Sequence, residues 1–173
     1  MYHFVPMTES VAKTISSWTY PPPYDLYTMD GSEECIQEFM NGEYFYVEDE
    51  GFQLVGFVCS GCSARVPGGY EIGVYDNEDL LDIGLGLRPD LTGQGLGGGF
   101  LMQAVSFLGS YFGKSNFRLV VAASNERAIK AYGKAGFVPG EGFYSSVSDV
   151  QIPFVVMRLY LLRTENLCTQ TEN

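Results

Sequence analysis

The stretch LRPDLTGQGLGGGF at residues 87–100 places five glycines within the seven positions from Gly93 to Gly99, directly before an apolar run of helical period. Glycine loses more conformational freedom on folding than any other residue. So dense a run is expected where side chains would obstruct something or where the backbone must turn through positive φ. A glycine loop that opens a helix directs several backbone N–H groups at one point, and with the helix dipole these favour an anion such as phosphate or pyrophosphate. Side chains at those positions would hold the anion off.

Two known phosphate-binding patterns fit poorly. Gly93, Gly95 and Gly98 satisfy GxGxxG, the pattern of a nucleotide oxidoreductase, but there the glycines follow their strand closely and an acid about 20 residues on holds the ribose. Here RPDLT intervenes, and the next acid is Glu126. GSYFGKS at 109–115 is a residue short of a P-loop between its glycines and lies at a helix end rather than a start. The preceding strand, LLDIGLGL, fits a different ligand. Its side chains alternate, so Ile83, Leu85 and Leu87 share one face while Asp82, Gly84 and Gly86 share the other. Glycine inside a strand marks a bulge or a close approach. The expectation is a ligand with its anionic end on the glycine loop and an extended arm along this bare face.

Ten basic and 21 acidic residues give a net charge of −11, which argues against nucleic acid as a partner. The charge is unevenly spread: residues 1–87 hold 2 basic and 15 acidic residues, residues 88–173 hold 8 and 6, and no acid occurs between Leu91 and Asn125. That split suits an anionic ligand near the glycine run and a cationic one against the acidic half. No apolar run approaches a membrane span. The opening MYHFVPMTES lacks the basic-then-apolar build of a secretory signal, so no membrane partner and a cytoplasmic location are expected. Cys35, Cys59, Cys62 and Cys168 are too few and too irregular for a disulfide framework. CSGC has a spacing used by zinc and redox sites, but the lone histidine, His3, leaves zinc short of ligands, and no metal is expected.

Periodicity predicts a strand at YHFVP and a helix beyond Thr8. A second helix capped by Ser32 is followed by strands at YFYVE and FQLVGFVCS. ARVPGGYEIGVYDNED reads as a loop or irregular hairpin. After LLDIGLGL come a helix with Leu101, Ala104, Val105, Leu108 and Phe112 on one face, the strand FRLVVAA, and a helix capped at Ser124 or Asn125 and ended at Gly136. Strands at GFYSSV and IPFVVMRLYLL complete one domain over 1–163, before a polar tail at 164–173.

Taken together, LRPDLTGQGLGGGFL and SNERAIKAYGKAGFV, in this order, resemble the GCN5-related N-acetyltransferase (GNAT) superfamily, and the likeness extends over nearly the whole chain. The resemblance implies an α/β (α+β) fold. Its mixed, strongly twisted sheet of about six or seven strands is flanked by about four helices and splayed between the fourth and fifth strands, with acetyl-CoA in the resulting V. The family motif carries Arg or Gln where this chain has Thr92. By the same resemblance, the N–H groups of Gly93, Gln94, Gly95, Leu96, Gly97 and Gly98 bind the pyrophosphate. The backbone of Leu85, Gly86 and Leu87 holds the pantetheine arm with Asn125, and Tyr132 is the general acid that protonates the departing thiolate.

The activity implied is transfer of an acetyl group to a primary amine, of a small molecule, a lysine or a protein N-terminus, by direct attack. The alternative is an acyl-CoA-binding sensor of the same fold without turnover. A base is needed because an alkylamine is largely protonated at neutral pH. In the branch that acetylates ribosomal protein N-termini a glutamate stands where this chain has Val120. Asp82, on the glycine-lined face, is therefore the first candidate for the base, with Glu71 and Glu141 behind it. Trp18, Tyr20, Tyr24 and Tyr27, in a proline-rich loop, are candidates for an aromatic wall around a cationic acceptor amine. A small-molecule or peptide amine is the expected partner, and the protein a monomer or homodimer.

Overall fold

The alternating and helical patterns resolve, in a computed structural model that describes residues 1–161, into a seven-stranded sheet and five helices. The predicted domain end at 163, the tail at 164–173 and Cys168 lie outside the described residues. In chain order the elements are β1 (His3–Pro6), α1 (Glu9–Ser16), α2 (Glu33–Phe39), β2 (Tyr44–Glu48), β3 (Leu54–Ser60), α3 (Gly68–Glu71) and β4 (Leu81–Leu87). They continue with α4 (Gly97–Phe112), β5 (Asn116–Ala122), α5 (Glu126–Lys134), β6 (Val138–Val147) and β7 (Val150–Tyr160).

The sheet order is β1-β2-β3-β4-β5-β7-β6. Every neighbouring pair is antiparallel except β4 and β5, which run parallel and pair only at Leu81↔Phe117 and Asp82↔Arg118. Beyond that seam the two strands part, and the gap between them is the floor of a cleft. The expected mixed sheet, splayed at its fourth and fifth strands, is the fold observed.

Local chemistry explains the helix boundaries. Ser32 Oγ accepts from the Cys35 N–H at 3.1 Å, and Asn125 Oδ1 accepts from the Ala128 N–H at 3.2 Å. Removing such a cap typically costs about 1 kcal/mol. Gly113, at φ +65°, ends α4 in the left-handed conformation that glycine adopts without strain. Phe100, Leu101, Ala104, Val105 and Leu108 of α4 are buried against Val58, Ile83, Phe117 and Leu119 on one side of the sheet. Phe112, predicted for the same face, sits at the helix end and is exposed.

On the opposite side, α1 and α2 bury Ala12, Ile15, Ile36 and Phe39 together with Trp18. Trp18 is 8% exposed and lies outside the cleft lining, which corrects its assignment to the acceptor wall: the indole is core packing for α1 and α2.

Two stretches depart from expectation. The region read as a loop or hairpin contains α3, which docks on β6. There the Gly68 N–H donates to Ser145 Oγ at 3.1 Å, and a Cβ at Gly68 would lie 2.1 Å from the Tyr144 carbonyl oxygen. Its glycines serve close packing rather than a surface turn. Strand β6 starts at Val138 rather than Gly142, and the register shift between Pro139 and Gly142 fits the proline onto the outermost strand.

Candidate active site

The cleft between β4 and β5 has a volume of about 900 Å³. The glycine run lies at one end of it. Gly93 and Gly95 take φ values of +76° and +80°, so the turn into α4 requires glycine there. The first intrahelical bond of α4 runs from the Phe100 N–H to the Leu96 carbonyl, which leaves the N–H groups of Gly97, Gly98 and Gly99 ahead of the ladder. A Cβ added at Gly95, Gly98 or Gly99 would meet nothing within 4 Å, and all three glycines line the cleft. No acid occupies the first turn of this 16-residue helix.

Facing the glycine run, α5 supplies Arg127, Lys130 and Lys134 to the lining. Unpartnered N–H groups, space kept clear of side chains and three cations together fit the phosphate or pyrophosphate groups of an anionic ligand. Sequence reading missed the three cations, although their i, i+3, i+7 spacing places them on one helix face. Gln94 and Leu96 contribute no lining side chain. Gln94 instead donates from Nε2 to the Asp90 carbonyl at 2.7 Å, and Thr92 Oγ1 donates to the Pro89 carbonyl at 2.8 Å.

The glycines of β4 have a different cause from the one expected. A Cβ at Gly86 would lie 2.4 Å from the Phe57 ring, and one at Gly84 would lie 2.7 Å from Cys59 Sγ. Side chains of the adjoining strand β3 fill the bare face, so it is no open track for a ligand arm. What β4 offers the cleft beyond the seam is its backbone edge toward β5, along Ile83, Gly84, Leu85, Gly86 and Leu87.

The loop between α1 and α2 crosses this cleft and touches both walls. Tyr20 donates its hydroxyl to the Leu87 carbonyl at 2.7 Å, Asn125 Nδ2 donates to the Tyr27 hydroxyl at 3.2 Å, and the Arg127 guanidinium stacks 4.2 Å above the Tyr24 ring. Tyr20, Tyr24 and Tyr27 thus line the cleft. Their neighbours Leu87 and Asn125 already hold partners within the chain, Asn125 through both ends of its amide.

Tyr132 on α5 lines the cleft, and burial raises its hydroxyl above the ordinary tyrosine range, so it stays protonated through neutral and moderately alkaline pH. Cys59, the thiol in the lining, is pushed up to about 12 by burial, which keeps it from acting as a nucleophile.

The predicted base is corrected. Asp82 is 3% exposed and absent from the cleft lining. Its Oδ1 accepts from Arg118 Nε at 2.6 Å, and its Oδ2 accepts from Arg65 Nε at 2.8 Å and Arg118 Nη2 at 3.0 Å. A buried carboxylate paired with two guanidiniums and outside the cleft lining is not placed to take an amine proton. Glu141 is held to about 2, chiefly by its hydrogen bonds from Arg158, and neither it nor Glu71 lines the cleft. The acidic N-terminal half does not deliver a negative wall either: among the described residues no Asp or Glu lines the cleft. Among the described residues no cluster of His, Cys, Asp and Glu could hold a metal, and no helix is long and apolar enough to cross a membrane.

Comparison with known proteins agrees with this architecture. Spermidine N-acetyltransferase SpeG from Vibrio cholerae, solved as a dodecamer, shares 16% identity over 95% of this chain and 98% of its own, with a TM-score of 0.66. A chimera of that enzyme with hSSAT gives 14%, 92%, 95% and 0.68 for the same quantities. A candidate phosphinothricin N-acetyltransferase gives 13%, 94%, 99% and 0.65. At these identities the likeness is one of fold. No curated protein matches the sequence significantly. The family model described as the acetyltransferase (GNAT) family matches residues 12–137, a span that runs from α1 through the glycine loop to the end of α5. The chain belongs to the acetyltransferase (GNAT) family.

Proposed function

We propose that the protein is an acetyl-CoA-dependent N-acetyltransferase that acetylates a primary amine by direct attack. The observation that carries this reading is the cleft itself, which joins the side-chain-free start of α4 to the Tyr132 hydroxyl along the parted edges of β4 and β5. Acetyl-CoA, when bound, supplies an activated acetyl thioester. The N–H groups of Gly97, Gly98 and Gly99, with Arg127, Lys130 and Lys134, hold its phosphates. The backbone edge of Leu85 and Gly86 holds its arm, as an added strand is held, and Leu87 and Asn125 join it in exchange for their bonds to Tyr20 and Tyr27.

Tyr132 gives its proton to the departing sulfur as the amine nitrogen bonds to the acetyl carbon and the carbon–sulfur bond breaks. The amine loses its own proton to water, since no carboxylate of the described residues lines the cleft. Direct attack, rather than passage of the acetyl group through the protein, is supported by Cys59, whose thiol burial holds protonated.

Thiol release with acetyl-CoA and a panel of amines, peptide N-termini included, tests the proposal, and release that depends on the amine is expected. Stabilisation of the fold by acetyl-CoA with no release on any amine would instead make it an acyl-CoA-binding module. Stabilisation by NAD but not by acetyl-CoA would make it a nucleotide enzyme.

A further inference from the structure

At the end of the cleft away from the glycine run, Arg65 is the charged side chain in the lining, and no carboxylate of the described residues lines it. Met29, Phe39, Tyr44 and Phe57 give it an apolar and aromatic wall, and Arg65 stands beside its floor. The preceding residue, Ala64, places its Cβ 3.6 Å from the point a Gly84 Cβ would occupy. Arg65 is held in place by stacking, 5.0 Å from the Tyr75 ring centre and 5.8 Å from that of Tyr70. Its Nε is committed to Asp82 and its Nη1 reaches Tyr70 Oη at 3.5 Å, whereas its Nη2 makes no hydrogen bond to another described residue.

Charge counting makes that guanidinium more than a structural prop. Asp82 is shared between Arg65 and the fully buried Arg118, so the three groups together carry one uncompensated positive charge, and Arg65 is the member that faces the cleft. The two carboxylates that adjoin this chamber through Ser63 are turned to internal bonds. Glu38 accepts from Ser63 Oγ at 3.0 Å, and Glu43 accepts from the Ser63 N–H at 2.6 Å. An acceptor with extra ammonium groups would set one of them against the Arg65 guanidinium, which is unfavourable. An acceptor with a carboxylate would neutralise the triad and gain a charge-assisted bond at Nη2.

Resting on the reading that the protein acetylates an amine, we propose that the acceptor is an amino carboxylate with an apolar or aromatic body, an α-amino acid in its simplest form, whose carboxylate pairs with Arg65.

The test is kcat/KM with acetyl-CoA and four acceptors: L-phenylalanine, L-phenylalaninamide, phenethylamine and spermidine, each value referred to the neutral amine across a pH series. Phenylalanine is expected to exceed both phenethylamine and the amide by about tenfold to a hundredfold, the worth of a hydrogen bond to a charged group. Spermidine is expected to be the poorest. In Arg65→Met the advantage of phenylalanine over phenethylamine should vanish through a raised KM for phenylalanine, and Arg65→Lys should recover part of it. Removing Arg65 leaves Asp82 and Arg118 as a balanced pair, and if the variant nonetheless fails to fold, the wild-type series decides alone. Release on phenethylamine or spermidine that equals or exceeds release on phenylalanine overturns the inference and leaves the acetyltransferase reading standing. No release on any amine overturns both.

Discussion

The Tyr20 hydroxyl donates to the Leu87 carbonyl at 2.7 Å across 67 positions of sequence, tying the loop between α1 and α2 to the last residue of β4. With Tyr24 on Arg127 and Tyr27 on Asn125, one loop reaches the opposed walls of the cleft. Replacing Tyr20 by Phe leaves the Leu87 carbonyl without this donor and should cost about 1 kcal/mol of stability, measured by urea unfolding. The same variant should raise KM for the acceptor more than for acetyl-CoA, and equal effects on both would refute the bridging role.

Tyr132→Phe keeps the ring and removes the proton. If the hydroxyl serves the departing sulfur, kcat should fall by about a hundredfold or more while acetyl-CoA affinity stays within about twofold. An unchanged kcat in single-turnover measurements would remove Tyr132 from the chemistry.

Asp82→Asn tests the corrected role of that carboxylate. The neutral amide leaves Arg118, which is 0% exposed, without its counter-charge, and losing one partner of a buried pair costs roughly 3–5 kcal/mol. The expected result is a large drop in unfolding free energy or loss of folded protein. A fully stable variant lacking only turnover would restore Asp82 as the base.

Gly98→Ala separates folding from ligand binding. Its Cβ enters open space, and alanine favours helix over glycine by up to about 1 kcal/mol, so the unliganded protein should hold or gain stability. The same methyl stands in the proposed phosphate cradle and should weaken acetyl-CoA binding in calorimetry. Undiminished affinity would move the cradle elsewhere.

Burial raises the hydroxyls of Tyr20, Tyr27, Tyr44 and Tyr132 above the usual tyrosine value. The folded protein therefore keeps these protons to higher pH than the unfolded chain, whose tyrosines titrate near 10. The contribution is fully present below about pH 10 and is lost as pH rises from there toward the folded values. Unfolding free energy should be level up to about pH 10 and then fall, less steeply in Tyr44→Phe. A level profile through pH 12 would contradict it.

Much of this architecture is legible in the chain because it is written locally. The period of two in LLDIGLGL, the caps at Ser32 and Asn125, and the glycine loop all act within a few residues of themselves, and each emerges where the pattern puts it. What escaped depends on partners distant in sequence. Asp82 looked available because its two guanidiniums lie 17 and 36 positions away. Trp18 looked like a ligand wall because it adjoins the proline-rich loop, although its helical spacing from Val11 and Ile15 already set it on the face that α1 buries. Arg65 left a trace in composition, as one of 2 basic residues among the first 87, but its significance needed the geometry of Asp82 and Arg118.

The ring of Phe57 occupies the volume that Gly86 vacates, so the depth of the proposed acceptor chamber is set from β3, one strand away from the gap itself. A larger residue at 86 would need a smaller one at 57, whereas trimming 57 alone would open new room at the base of the chamber without touching β4. The two positions form a single size gauge, and acceptor bulk could be retuned there while the glycine turn, Asn125 and Tyr132 remain as they are.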